Sequence, residues 1–298
     1  MTQPLHLKAY AKVNLGLDVL RRREDGYHEV RMIMQTVKLF DYITLQKNTC
    51  GQIRLSSNLP YLPLNEKNLV YRAIDTIRTA YNISDGVDAA IEKHIPVAAG
   101  MAGGSTDAAA VLVGVNRMFN LGFTKKELME RGVKLGADVP YCIMRGTALS
   151  EGIGEILTEL PPSPKCHLVI AKPQISVSTK AVYGKLRVNE LAPEEHPDID
   201  GMTEAIRNGD LDGVISRLGN VLETVTIPDH PEIARIKSMM MENGACGSLM
   251  SGSGPTVFGI YKDRKLAEKT CQALKEADDG RLTRQVYLTE FYNRKKAR

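Results

Sequence analysis

The sequence predicts an α+β protein of two domains. Three observations predict it. Strand-like and helix-period runs are mixed in both halves of the chain, the proline cluster Pro161-Pro162-Ser163-Pro164 divides it near the middle, and 298 residues is about twice the length of an average domain. The expected domains are residues 1–162 and 163–298.

The elements follow in order. Residues 5–20, 30–38 and 42–56 read as strands, rich in Leu, Val, Ile and Thr, with a polar turn at Arg23-Glu24-Asp25-Gly26. Over 68–81 the period changes: Leu69, Ala73, Ile77 and Ala80 fall at helical spacing, with Asn65 or Asn68 as the cap. A strand at about 87–95 runs into Pro96. A small-residue loop and the helical run Ala108–Val115 follow, then a second helix from Thr124 to about Leu135 that opens on a capping box, Thr124 with Glu127. Asp138 falls between that helix and an apolar strand. In the second half His167–Ala171 is a strand, several helices follow, and a Gly/Ser-rich turn occupies 251–254. A helix at about 264–277 and a strand at about 284–290 close the chain. Residues 188–212 match no motif, and no internal repeat is visible.

Composition excludes several classes. Hydrophobic residues are 43% and charged residues 25%, ordinary for a folded chain, so disordered and collagen-like readings fall away. No stretch approaches the ~20 apolar residues of a membrane helix. The start, Met1 to Lys8, lacks the pattern of a secretion signal, which predicts a chain that begins near Met1 and stays in the cytoplasm. Net charge is 39 − 35 = +4, with much of the excess in the tail Arg294–Arg298. That excess suits an anionic small substrate and does not demand nucleic acid. Five cysteines without a Cys-x-x-Cys spacing predict reduced, mostly buried thiols.

The strongest chemical signal is Pro96-Val97-Ala98-Ala99-Gly100-Met101-Ala102-Gly103-Gly104-Ser105-Thr106. Such a loop has almost no side chains, so its backbone N–H groups can converge on one anion, and the helix that follows adds its own unpaired N–H groups and dipole. Ser105 and Thr106 offer hydroxyls where a phosphate or its Mg²⁺ would lie. A tight turn with close helix packing explains isolated glycine pairs. Three glycines, three alanines and Ser-Thr in eleven residues favour phosphate binding. The loop is neither a Walker loop, lacking Gly-Lys-Ser/Thr, nor a dinucleotide fingerprint, lacking Gly-x-Gly-x-x-Gly.

Four further stretches are weaker taken singly. Lys12 and Asn14 share one strand face, where they grip a hydroxyl or phosphate, or simply meet solvent; the residues alone favour the solvated face. Tyr27 and His28 on a turn make either a base-stacking site or a partly buried, hydrogen-bonded pair. Asp138 in Gly136-Ala137-Asp138-Val139-Pro140 is a turn former, or a base if phosphates lie beside it. Ser251-Gly252-Ser253-Gly254-Pro255-Thr256 reads as a hairpin turn.

Together, in this order and over nearly the whole chain, Ala11–Leu15, Asp25–Glu29, the loop, Gly136–Pro140 and Ser251–Thr256 resemble the GHMP kinases. The pairing of Lys12-x-Asn14 with Asp25-Gly26-Tyr27-His28 resembles the branch that phosphorylates a diphosphocytidyl methylerythritol in non-mevalonate isoprenoid synthesis. Met101 and Thr106 stand where that family usually has Leu and Ser. The resemblance implies a ribosomal-S5-like N-terminal domain, a ferredoxin-like C-terminal domain and an active site in the cleft between them. It implies ATP and Mg²⁺, with γ-phosphoryl transfer to the 2-hydroxyl of the methylerythritol unit. Residues 96–106 would bind ATP, Asp138 would be the base and Lys12 its charged neighbour. Asn14, Tyr27, His28 and Tyr183 would bind the substrate. No glutamate matches a metal-binding position, so the Mg²⁺ ligand stays open. The implied partner is a small molecule, with neither nucleic acid nor membrane, and the chain is a monomer or homodimer.

Overall fold

The computed structural model describes residues 3–293; the basic tail at 294–298 lies outside them. The chain order is β1 (Leu5–Arg22), β2 (His28–Asn48), β3 (Ile53–Ser57), α1 (Leu69–Ala80), β4 (Gly86–Glu92), α2 (Gly103–Met118), α3 (Lys125–Val133), α4 (Val139–Met144), β5 (Thr147–Glu151), β6 (Ile156–Leu160) and β7 (His167–Pro173). It continues through α5 (Thr179–Lys185), α6 (Ile199–Arg207), α7 (Leu211–Ile215), β8 (Gly219–Asn220), α8 (Glu223–Asp229), α9 (Pro231–Glu242), β9 (Gly247–Met250), β10 (Val257–Tyr261), α10 (Arg264–Glu276) and β11 (Thr283–Glu290). Two compact units interleave along this order. One holds the described residues of 1–11, 39–97 and 102–144, the other those of 12–38, 98–101 and 145–298. The interleaving follows from β1 and β2, each long enough to contribute to both.

In the first unit the strands lie in the order β3-β4-β2-β1. β3 and β4 are parallel, joined through α1, and β4 is antiparallel to β2, with Tyr42 opposite Glu92. Alternate residues Ala9, Ile43, Leu45, Val87, Ala89 and Ile91 are buried, as are Val70, Ala73, Ile74 and Ile77 on α1 and Val111, Leu112 and Val115 on α2. α2 packs flush on the strands: a Cβ at Gly114 would stand 2.5 Å from Leu45 Cδ1 and 2.6 Å from Leu7 Cδ1. Asn68 caps α1 by accepting Val70 N–H at 2.9 Å, and the Thr124–Glu127 capping box opens α3.

The second unit contains a four-stranded antiparallel sheet in the order β11-β7-β10-β9. In chain order these strands are first β7, then β9, β10 and β11, with α9 before β9 and α10 between β10 and β11. That is the βαββαβ ferredoxin-like pattern, as expected. The same unit pairs β8 with the second half of β1 and β5 with the first half of β2, and β6 forms a hairpin with β5. Residues 188–212, which matched no motif, form two short 3₁₀ turns and α6, capped by Asp198.

Three elements depart from the sequence reading. β2 runs unbroken where two strands were expected. Asp41, a turn former by type, is fully buried within it, because its carboxylate has tertiary donors. Residues 139–144 form a helix, not a strand. Val139, Pro140, Tyr141, Cys142 and Met144 are all buried, and a run buried on every side has no period to read. α2 starts at Gly103, five residues before the alanine run, so Gly103 to Asp107 belong to helix rather than loop. The five cysteines are unbridged, with Cys142, Cys166 and Cys271 buried.

Candidate active site

The loop into α2 has an unusual backbone. Ala98, Gly100 and Ala102 have φ of +51°, +69° and +57°. Left-handed residues at every second position are the backbone pattern from which anion-binding concavities are built. Only the middle position carries glycine. An alanine in this region costs roughly 1–2 kcal/mol, so the loop holds strain at two positions. Ala102 is also the N-cap of α2 and makes no side-chain cap bond. The first-turn N–H donors, which a Ser or Asp cap would have taken, are left to another acceptor. Thr106 turns inward, donating its hydroxyl proton to Tyr10 O at 2.7 Å, whereas Ser105 is half-buried.

Within the first unit the Gly136–Pro140 motif lies beside the start of α2. A Cβ at Gly136 would stand 3.9 Å from Ser105 Oγ, which brings the Gly136–Asp138 segment beside the first turn. Asp138 directly precedes α4 and accepts Cys142 N–H with its backbone oxygen at 3.0 Å. Beneath the same turn lies a buried cluster that the sequence reading missed. Lys93 Nζ donates to Asp107 Oδ2 at 2.7 Å and to Asp41 Oδ2. Burial pulls the Lys93 ammonium down, but the Asp107 and Asp41 charges outweigh it and its pKa is raised. Burial drives the Asp107 carboxyl well up against the pull of Lys93, and the Asp41 charge adds to the rise. Asp107 Oδ1 has no hydrogen-bond partner. The cluster thus sets one ammonium between two carboxyl groups, and the Asp107 carboxyl is the one whose ionised form is disfavoured there. A signal was present: Asp107 sits among Ala108, Ala109 and Ala110 on a buried helix face, where a carboxylate requires a partner.

Within the second unit Lys12 and Asn14 come together with residues 98–101 and 251–254. Lys12 is 5% and Asn14 0% exposed, so the solvated strand face is overturned: these are buried polar groups with partners. Lys12 Nζ donates to Asn14 Oδ1 at 2.8 Å, and Lys12 N–H to Met101 O at 3.2 Å. Ser251 Oγ donates to Gly100 O at 3.0 Å. The 251–254 turn joins antiparallel β9 and β10, and Asn220, a second residue the sequence reading missed, pins it by donating to Gly252 O at 2.8 Å and Met250 O at 2.9 Å. No sequence signal marks Asn220 apart from its being polar before an apolar pair. In the same unit the His28 and Tyr183 rings lie 5.1 Å apart, tilted by 45°. Burial, then the Arg22 charge, lowers the His28 pKa, so the ring is neutral at physiological pH. Tyr27, on the turn before β2, is 60% exposed.

Two domain models match, the GHMP kinases N terminal domain at residues 68–146 and the GHMP kinases C terminal at 202–279. The curated 4-diphosphocytidyl-2-C-methyl-D-erythritol kinase of Lachnoclostridium phytofermentans is 54% identical over 291 residues, 98% of each chain. The chain belongs to the 4-diphosphocytidyl-2-C-methyl-D-erythritol kinase family of the GHMP kinases. A crystal structure of a 4-(cytidine 5'-diphospho)-2C-methyl-D-erythritol kinase superposes on this family member with a TM-score of 0.81, at 31% identity, covering 97% of this chain and 100% of the other. A homoserine kinase from Cytophaga hutchinsonii matches with a TM-score of 0.77 at 21% identity, covering 97% and 95%, which shows the shared fold alone. The protein is thus a small-molecule kinase of α+β, two-domain GHMP architecture. Among the described residues no helix is long and apolar enough to cross a membrane.

Proposed function

We propose that this kinase transfers the γ-phosphoryl group of ATP to the 2-hydroxyl of 4-diphosphocytidyl-2-C-methyl-D-erythritol, in isoprenoid precursor synthesis. The observation that carries the reading is the near-full-length similarity to curated kinases of that substrate. The backbone of residues 96–106 supports the nucleotide part: left-handed alanines and an uncapped helix start are strained features that a bound polyphosphate would use.

Phosphoryl transfer has a loose transition state, so positioning and charge neutralisation do most of the catalysis. Residues 96–106 hold the ATP phosphates through N–H groups. Asp138 accepts the proton of the attacking hydroxyl, and the Lys12 ammonium offsets the charge that develops on the transferred group. Asn14 holds Lys12 in place and, with Tyr27, His28 and Tyr183, binds the substrate; the neutral His28 ring and Tyr183 provide stacking faces for cytosine. Among the described residues there is no group of three or more His, Cys, Asp or Glu that would cage a metal. Mg²⁺ fits such a site when the phosphates supply most of its oxygens, and Ser105 Oγ, at the first turn of α2, is a protein oxygen suited to complete it. Bound there, Mg²⁺ would neutralise phosphate charge. We assign residues 1–162 to the N-terminal and 163–298 to the C-terminal domain, place the enzyme in the cytoplasm as a monomer or homodimer, and expect neither nucleic-acid nor membrane partners.

ATP consumption measured with the cytidyl substrate, homoserine, mevalonate or RNA tests the reading; turnover with any but the first refutes it. Asp138→Asn keeps the shape but cannot take the proton, so kcat falls by about 10²–10⁴-fold with substrate binding retained. Lys12→Ala also lowers kcat, and the double variant is little worse than the poorer single one. A destabilised Asp138→Asn protein with near-normal turnover would show that Asp138 only shapes the turn before Pro140.

A further inference from the structure

The two ends of the glycine loop meet on one buried ammonium. At the entrance, Asp41 Oδ1 accepts the N–H groups of His94 and Ile95, the latter at 2.7 Å, just before Pro96. At the exit, Asp107 on α2 accepts Lys93 Nζ through Oδ2. Lys93 bridges the two carboxylates from the end of β4, and all three side chains are within 5% of full burial. The helix start rests directly on this cation. A Cβ at Gly103 would stand 3.3 Å from Lys93 Nζ and 3.3 Å from Ile95 Cγ2, so glycine lets the first turn come down onto the cluster.

We propose that Lys93, with Asp41 and Asp107, is a positioning residue for the nucleotide: it ties the entrance of the loop to its exit and so holds the strained cradle in its binding shape. The inference rests on the phosphate-binding reading of residues 96–106. Its physical basis is the strain itself. Ala98 and Ala102 relax out of the left-handed region unless the surrounding structure fixes the ends of their segment. A buried ion cluster gives little net stability and is often replaceable by apolar packing. Its placement at the loop's two ends therefore gives it a positional role that an ion cluster elsewhere in the core would lack.

Asp107→Ala separates the roles. It frees the exit end and leaves Lys93 and Asp41 as a neutral, hydrogen-bonded pair at the entrance. Titration calorimetry with ATP and steady-state kinetics are run on the same protein. The ATP Kd and KM rise about tenfold, a fraction of the ~10²-fold that a misplacement of 1 Å costs. The KM for the cytidyl substrate stays within about twofold, because the loss falls on one ligand's binding. Asp107→Asn, whose side-chain oxygen still accepts from Lys93, restores ATP affinity. Should Asp107→Ala fail to fold, Lys93→Met/Asp107→Leu replaces the cation and one carboxylate by apolar groups and leaves Asp41 on its two backbone donors. That variant shows the same selective loss. Wild-type ATP affinity in either folded variant overturns the proposal, as does an equal rise in both KM values, which marks general loosening. A wild-type protein that does not bind ATP would instead refute the nucleotide reading.

Discussion

Gly100→Ala asks the most of the loop geometry. Gly100 has φ of +69°, and a Cβ there would stand 2.1 Å from Ser251 O. The obstacle is backbone, so no side chain can rotate away. Relief needs a displacement of about 1 Å between residue 100 and the 251–254 turn, which Ser251 Oγ and Asn220 both hold. The left-handed alanine costs roughly 1–2 kcal/mol and the forced contact about 1–3 kcal/mol. The sum, about 2–5 kcal/mol, corresponds to a Tm loss of ~4–10 °C at roughly 2 °C per kcal/mol for a chain of this size. If the loop shifts instead, stability is spared and the ATP Kd rises by up to ~10²-fold. Gly122→Ala is the control. Its φ is +74° with nothing within 4 Å of the added methyl, so it pays the conformational term alone. Differential scanning fluorimetry and ATP calorimetry are run on both. A Gly100→Ala protein no less stable than Gly122→Ala, with unchanged ATP affinity, would refute the close packing of residue 100 on Ser251 and the reasoning built on it.

Other outcomes follow from the same geometry. Gly103→Val presses on Lys93 Nζ and Ile95 and weakens ATP binding while circular dichroism stays native; unchanged nucleotide affinity would count against the loop assignment. Tyr27→Ala, at an exposed ring, raises the KM for the cytidyl substrate by the equivalent of ~1–3 kcal/mol of stacking and spares that for ATP; movement of the ATP KM alone would mean the sites are exchanged. The pH dependence of stability reports Asp107. Its folded pKa is raised, so its stabilising contribution is complete below the ordinary value of 3.8 and is lost as pH rises through the folded value. Asp107→Asn, which cannot ionise, flattens the Tm–pH curve over that window; an unchanged slope would show that Asp107 does not titrate with folding.

Local signals carried much of the fold. The period of α1 and the capping box of α3 are properties of neighbours in sequence, where three or four residues suffice to decide. The glycine loop was legible for the same reason: small residues followed at once by a helix allow few other structures. The expected strand break at 39–41, Val139–Met144 and Lys12 were misread for the opposite reason. A buried Asp in a strand, a helix buried on all sides and a Lys enclosed at 5% exposure are each set by atoms far away in the chain.

By itself the sequence determined that this is a two-domain α+β chain, and its motifs carried the GHMP kinase resemblance. Only the tertiary structure decided what those residues face. It put Asp107 against Lys93, 14 residues away, and Asp41 against the same ammonium from 52 residues away. It set Gly100 against Ser251 across 151 residues. Backbone conformation is chosen mainly by local sterics, which a sequence window contains. The partner of a buried charge or carbonyl is chosen by whichever distant group removes the cost of leaving water, and no window contains that group.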